Sequence, residues 1–166
     1  MVTSWETERP ADYLTRLASS QLGPAYKSLV VEELRIEPDA TVVDLGFGAE
    51  PDWDTLIIDF REPATPVAYR RFITERVVRN ARVGRAIPAL CERHGLEAAR
   101  VVPVTAVYRD VAEADRVFGF QRVTERAVDA GYLSATAGSA WLNHLRTERF
   151  FASVSLFVTM AERRGS

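Results

Sequence analysis

Two glycines and an aspartate set close together carry the strongest chemical suggestion in this sequence. Val42-Val43-Asp44-Leu45-Gly46-Phe47-Gly48 reads as a short apolar strand that ends in an acid and a glycine turn. Gly46 and Gly48 let a ligand approach the backbone closely, and Asp44 can accept a hydrogen bond from an amino group. Any tight turn after a strand can carry the same spacing, with Asp44 bonded to local amides. Taken alone, the segment leaves both readings open. Glu50 and Asp52 follow, with the chemistry of a general base if partly buried and of solvated loop acids otherwise. His144 lies between Trp141 and Glu148 at helical spacing. It reads as a base for a phenol or enol acceptor, or as an exposed helical histidine. Trp53 and Trp141 suit the wall of a small-molecule pocket or plain core packing. His94, ahead of Gly95, fits the favourable placement of a cation at a helix C-terminus. No Cys/His pair or carboxylate cluster has metal-ligand spacing, and no nucleophile elbow or P-loop is present.

The elements that would position these residues can be read from periodicity. Tyr13, Leu14 and Leu17 give a short helical stripe, broken at Gly23-Pro24. Tyr26, Leu29, Val30, Glu33 and Leu34 predict an amphipathic helix ending before Pro38. Thr41 to Leu45 is a β-branched apolar strand of the type buried on both faces in a parallel sheet. Glu50 to Phe60 reads as an acidic, aromatic loop with a short extended stretch at Leu56-Ile57-Ile58. Helices are expected from about Pro66 to Asn80 and from Arg85 to His94, where Pro88 is tolerable only near the first turn. Gly95 stands where a helix-ending glycine belongs. A strand from Arg100 to Tyr108 follows. Then come helices over Val111 to Ala130 and Ser134 to Glu148, with Ser134 as an N-cap. A strand from Phe150 to Met160 leads into a charged, fraying tail, Ala161 to Ser166. This alternation predicts α/β architecture, a small sheet of about three strands covered by helices.

Composition sets the outer limits. The chain has 166 residues, 47% of them hydrophobic and 27% charged, which fits one soluble domain over residues 1–166. A net charge of −2 gives no long-range attraction to nucleic acid or an anionic membrane. Arg70, Arg71, Arg76, Arg79, Arg82 and Arg85 alternate with apolar residues and read as a solvated helix face. The single cysteine, Cys91, permits no intrachain disulfide and points to a reducing, cytoplasmic setting. Neither a signal peptide nor a membrane span is expected.

A family resemblance sharpens the picture. The run from Tyr26-Lys27-Ser28 through Glu33-Leu34, then Ile36-Glu37-Pro38-Asp39-Ala40-Thr41-Val42-Val43-Asp44-Leu45-Gly46, resembles the entry to class I S-adenosylmethionine (SAM)-dependent methyltransferases. The closest group is that of the ubiquinone and menaquinone biosynthesis enzymes. Their first strand ends Asp-x-Gly-x-Gly-x-Gly beside the methionine part of the cofactor, and Asp44, Gly46 and Gly48 match its first three positions. Ala49-Glu50 stands where the next glycine and helix belong. Glu50-Pro51-Asp52-Trp53-Asp54-Thr55-Leu56 then resembles the segment after the family's fifth strand, and the remainder continues in family order. The paired helices between Val111 and Glu148 resemble part of the lid over the acceptor.

The resemblance implies a truncated Rossmann-like methyltransferase fold, with residues 1–48 and 49–166 meeting where strands two to four would lie. At roughly 30 residues per βαβ unit, most of a Rossmann core is missing. The acid that pairs with the ribose hydroxyls goes with it; Glu50, Asp52, Asp54 and Asp59 are the nearby carboxylates. Implied cofactor contacts are Asp44, Gly46 and Gly48. Trp53, Trp141 and His144 face the acceptor, and Glu50, Asp52 and His144 are the candidate bases. The implied activity is methyl transfer from SAM to a small-molecule acceptor; the alternative is a non-catalytic derivative that binds a small molecule or a partner protein. The sequence is equally compatible with an edited or truncated form of a full methyltransferase. Strand 41–45 is expected to take the place beside Phe150 to Met160, leaving a bare edge that pairs with a second copy as a homodimer.

Overall fold

The fold is built around the strand that comes last in sequence. In the computed structural model, which describes residues 27–28, 30–33 and 51–163, β3 (Ala152–Arg163) lies between β1 (Asp52–Ile58) and β2 (Leu96–Tyr108). Both pairings are antiparallel. β2 follows β3 over its whole length, from Leu96 opposite Arg163 to Tyr108 opposite Ala152. β1 pairs only with the Ala152–Ser155 end. The small sheet with helices is the α/β architecture expected.

Alternation along β3 explains its central place. Ala152, Val154 and Leu156 are buried on one face. That face meets Val104, Ala106 and Tyr108 of β2, with Leu56 and Ile58 of β1, in one apolar core. Four helices contribute to the same core. These are α1 (Ala64–Phe72), α3 (Val111–Phe118), α4 (Phe120–Asp129) and α5 (Ala135–Thr147). The other face is partly covered by α2 (Val83–Arg93), where the buried Gly84 lies against the Phe157 ring.

Several expectations are corrected. Asp52 to Ile58 is a strand, not a loop with a short extended core. A bulge between Asp52 and Ile57 hides it from a period-two reading, because Trp53 and Leu56, an odd number of residues apart, both reach the core. There the Thr55 hydroxyl donates to the Asp52 carbonyl at 2.6 Å and accepts from the Ser155 amide at 2.8 Å. Strand 41–45 is expected beside Phe150 to Met160; along Ala152–Ser155 that place is taken by β1. Residues 41–45 themselves lie outside the described residues, as do Tyr13, Leu14 and Leu17.

The helix expected to run to Asn80 ends earlier. After Phe72 it passes into a π-helical turn, Ile73–Val77, closed by the Val78 amide on the Ile73 carbonyl at 3.0 Å. Pro88 sits inside α2, well past its first turn. The single helix expected over Val111 to Ala130 is two, broken at Gly119 with φ 61°. Asp115 caps the break by accepting from the Phe120 amide at 2.5 Å. β2 begins four residues before Arg100, and β3 continues through Arg163, so the tail is ordered strand that far. The expected turns at Gly95 (φ 78°) and Ser134 are present; the Ser134 hydroxyl accepts from the Ala137 amide. Residues 27, 28 and 30–33 are helical, and Glu33 pairs with Arg100 of β2.

Candidate functional site

Beneath α4 and α5 the core is a run of aromatic rings. Trp53 meets Phe118 edge-on at 6.1 Å, and Phe118 is 5.6 Å from Phe120. Phe120 then reaches Trp141 at 6.2 Å, and Trp141 meets Phe60 at 5.2 Å. Phe60 ends the run on His144, ring to ring at 4.8 Å. The two tryptophans and the histidine singled out in the sequence therefore line one continuous aromatic body, Trp53 from β1 and the other two from one face of α5. Both tryptophans are buried, and neither indole Nε1–H has a hydrogen-bond partner among the described residues. An unpaired buried donor forgoes about 1–3 kcal/mol and is where an acceptor atom would be best rewarded.

Tyr69 joins this body through Phe120 and Trp141 and is wholly buried. Its hydroxyl donates to the Phe118 carbonyl at 2.8 Å, satisfying the end of α3 beside the Gly119 break. Burial, then the nearby Asp115 charge, pushes the phenol well above its ordinary range, with Arg122 opposing.

The acids after Glu50 face a different environment. Asp52 is wholly buried, and Arg85 grips both its carboxylate oxygens at 2.5 Å. The Asp54 amide adds a third bond at 3.1 Å. Asp54 takes Arg82 at 2.5 Å and Arg85 at 3.4 Å. The Arg82 hydrogen bond, and the charges of Arg82, Arg85 and Arg70, hold Asp54 below the usual carboxylate range against desolvation. Arg70 donates to the carbonyls of Asp54 and Leu56 along β1. The arginines read as a solvated face are thus divided: Arg70, Arg82 and Arg85 serve β1. Arg71 pairs with Glu75 at 2.9 Å, while the Tyr132 hydroxyl donates to Glu75 at 2.7 Å and accepts from Arg76 at 3.2 Å. Spacing alone missed these roles, because the partners of Arg82 and Arg85 lie some thirty residues back on a strand.

Asp44, Gly46, Gly48 and Glu50 lie outside the described residues. Among the described residues, no group of three or more His, Cys, Asp or Glu could hold a metal ion, and no helix is long and apolar enough to cross a membrane.

A curated relative shares much of this sequence. An uncharacterized 37.1 kDa protein in transposon TN4556 of Streptomyces fradiae is 48% identical over 113 residues. The match covers 68% of this chain and 33% of the relative, so the chain spans about a third of that protein's length. No family profile matches the chain, and no solved structure matches it.

Proposed function

We propose that this chain is a SAM-dependent methyltransferase-like protein that holds a small-molecule acceptor beneath α4 and α5. The observation supporting this reading is the aromatic body roofed by that helix pair, with two buried indole donors that have no partner among the described residues and could meet an acceptor oxygen or nitrogen. The paired helices fall between β2 and β3, the order that the methyltransferase resemblance implies for an acceptor lid. Asp44, Gly46 and Gly48 would hold the cofactor, which supplies a sulfonium-activated methyl group when bound. Trp53 and Trp141 orient the acceptor and exclude water, and a desolvated, aligned encounter is what methyl transfer requires. His144, half-buried against Phe60, would take a proton from the acceptor. A reducing, cytoplasmic setting fits the free thiol of Cys91.

A second reading, a methyltransferase-derived binding domain without catalysis, is favoured by one contact. Asp52, a candidate base, has both oxygens committed to Arg85. Calorimetric titration of the full chain with S-adenosylhomocysteine separates the two. Saturable micromolar binding supports the enzyme; a folded sample that takes up none leaves the binding domain.

A further inference from the structure

The aromatic body is closed to solvent. Trp141 and Tyr69 are wholly buried and Phe120 nearly so. Anything that is to meet the Trp141 indole must first displace α4 and α5. The two helices pack chiefly on each other and on α1. Inward, they rest ring against ring, Phe120 on Tyr69 at 5.9 Å and Trp141 on Tyr69 at 5.7 Å.

The turn between α4 and α5 is tied down by polar contacts at the surface. Tyr132, half-buried in that turn, sends its hydroxyl to the π-helical turn Ile73–Val77. It donates to Glu75 Oε2 at 2.7 Å and accepts from Arg76 Nε at 3.2 Å. Adjacent side chains of an α-helix point about 100° apart, yet here Glu75 and Arg76 both reach one hydroxyl. Arg71 donates to the other Glu75 oxygen at 2.9 Å and lies over the Tyr132 ring at 5.6 Å. Phe72 meets the same ring edge-on at 5.2 Å, and Arg126 of α4 lies over Phe72.

The far end of α4 has the makings of a pivot. Gly119 stands in the left-handed region with φ 61°. The residue before it is held, because the Phe118 carbonyl accepts the Tyr69 hydroxyl at 2.8 Å. α3 is thereby anchored, and α4 starts afresh from a glycine. Hinges are commonly a few residues at element ends that absorb a backbone rotation.

We infer that Tyr132 latches the α4–α5 pair against the π-helical turn, and that the pair opens about Gly119 when the latch releases. Arg71, Glu75 and Arg76 are all exposed. Exposed ion pairs are weak, so this tie biases the closed state without locking it. The opening is a property of the chain alone. Its use, which is to admit an acceptor to the buried indoles, rests on the methyltransferase-like reading.

Hydrogen–deuterium exchange of the full chain, read peptide by peptide, tests the latch. Tyr132→Phe keeps the ring on Phe72 and removes the hydroxyl. Exchange across residues 120–147 should quicken by about fivefold, while α3, β2 and β3 keep the parent's rates. The step in rate should fall at Gly119. Glu75→Ala should give the same pattern, and combining the two should add little, since each removes the same contact. Unchanged exchange over 120–147 in both single variants overturns the inference. So does a rise shared by α3 and the sheet, or a double variant whose two effects simply multiply. Faster exchange confined to 120–147 in a chain that takes up no S-adenosylhomocysteine upholds the latch and counts only against the methyltransferase-like reading.

Discussion

The Asp52–Arg85 pair is unequal. Asp52 is wholly buried, while the Arg85 side chain is 47% exposed. Removing the acid lets Arg85 turn into water; removing the arginine strands a buried carboxylate. Arg85→Ala should therefore destabilise by about 3 kcal/mol and Asp52→Ala by about half that, a difference readable in urea midpoints. Asp54 makes a pH-dependent contribution. Its pKa is lowered in the folded chain, first by the Arg82 hydrogen bond. The stabilisation is complete above the unfolded value of about 3.9 and is lost as pH falls through the folded value. Asp54→Asn should be less stable than the parent at pH 7, and its deficit should close in strong acid. Urea denaturation at both pH values checks this; a deficit equally large in acid would deny the ion pair its role. The sequence showed Trp53 and Trp141 as pocket wall or core packing, because large aromatic residues have few other destinations; that they and His144 share one aromatic body was not legible. Nor were the ion pairs legible, since neither Asp-Trp-Asp nor the spaced arginines reveal which strand and helix will meet.

Among the elements, α4 and α5 touch most tightly at Gly138. A Cβ there would come within 2.9 Å of Val128 Cγ2 and 3.3 Å of Thr124 Cγ2. Gly138→Ala should pry the pair apart and cost about 1–3 kcal/mol despite the better helix propensity of alanine. Thermal melting tests it, with any rise in Tm as the contrary result. If the acceptor binds beneath this pair, the same variant should weaken ligand uptake more than a variant at Gly95, where a Cβ would meet nothing within 4 Å. Helix ends marked by Gly95 and Ser134 were legible because each signal is local. Gly119 was not, because a glycine inside a continuous apolar stripe is also tolerated within a helix. Its break is enforced by the Asp115 cap and the Tyr69 hydroxyl, which come from burial rather than pattern. The π-helical turn at Ile73–Val77 likewise has no sequence signature in its periodicity.

For the molecule as a whole, the sheet edges decide solubility. The Arg70 guanidinium occupies the carbonyls of Asp54 and Leu56 on β1, and Pro103 removes one amide from β2, which has no neighbouring strand on its far side among the described residues. Charged groups and prolines are the devices that keep edges from pairing indiscriminately. Arg70→Ala should raise light scattering and thioflavin binding on mild heating, while a variant that stays as clear as the parent would remove Arg70 from that role.

The strand order has a consequence for the growing chain. Among the described residues, β1 and β2 pair with no strand but β3, and β3 is made last of the three. Until Ala152 to Arg163 leave the ribosome, the two earlier strands lack the strand that joins them, and the register Asp52–Ser155 must close across about a hundred residues. The helices can form as they emerge, but these three strands are joined only once β3 is out.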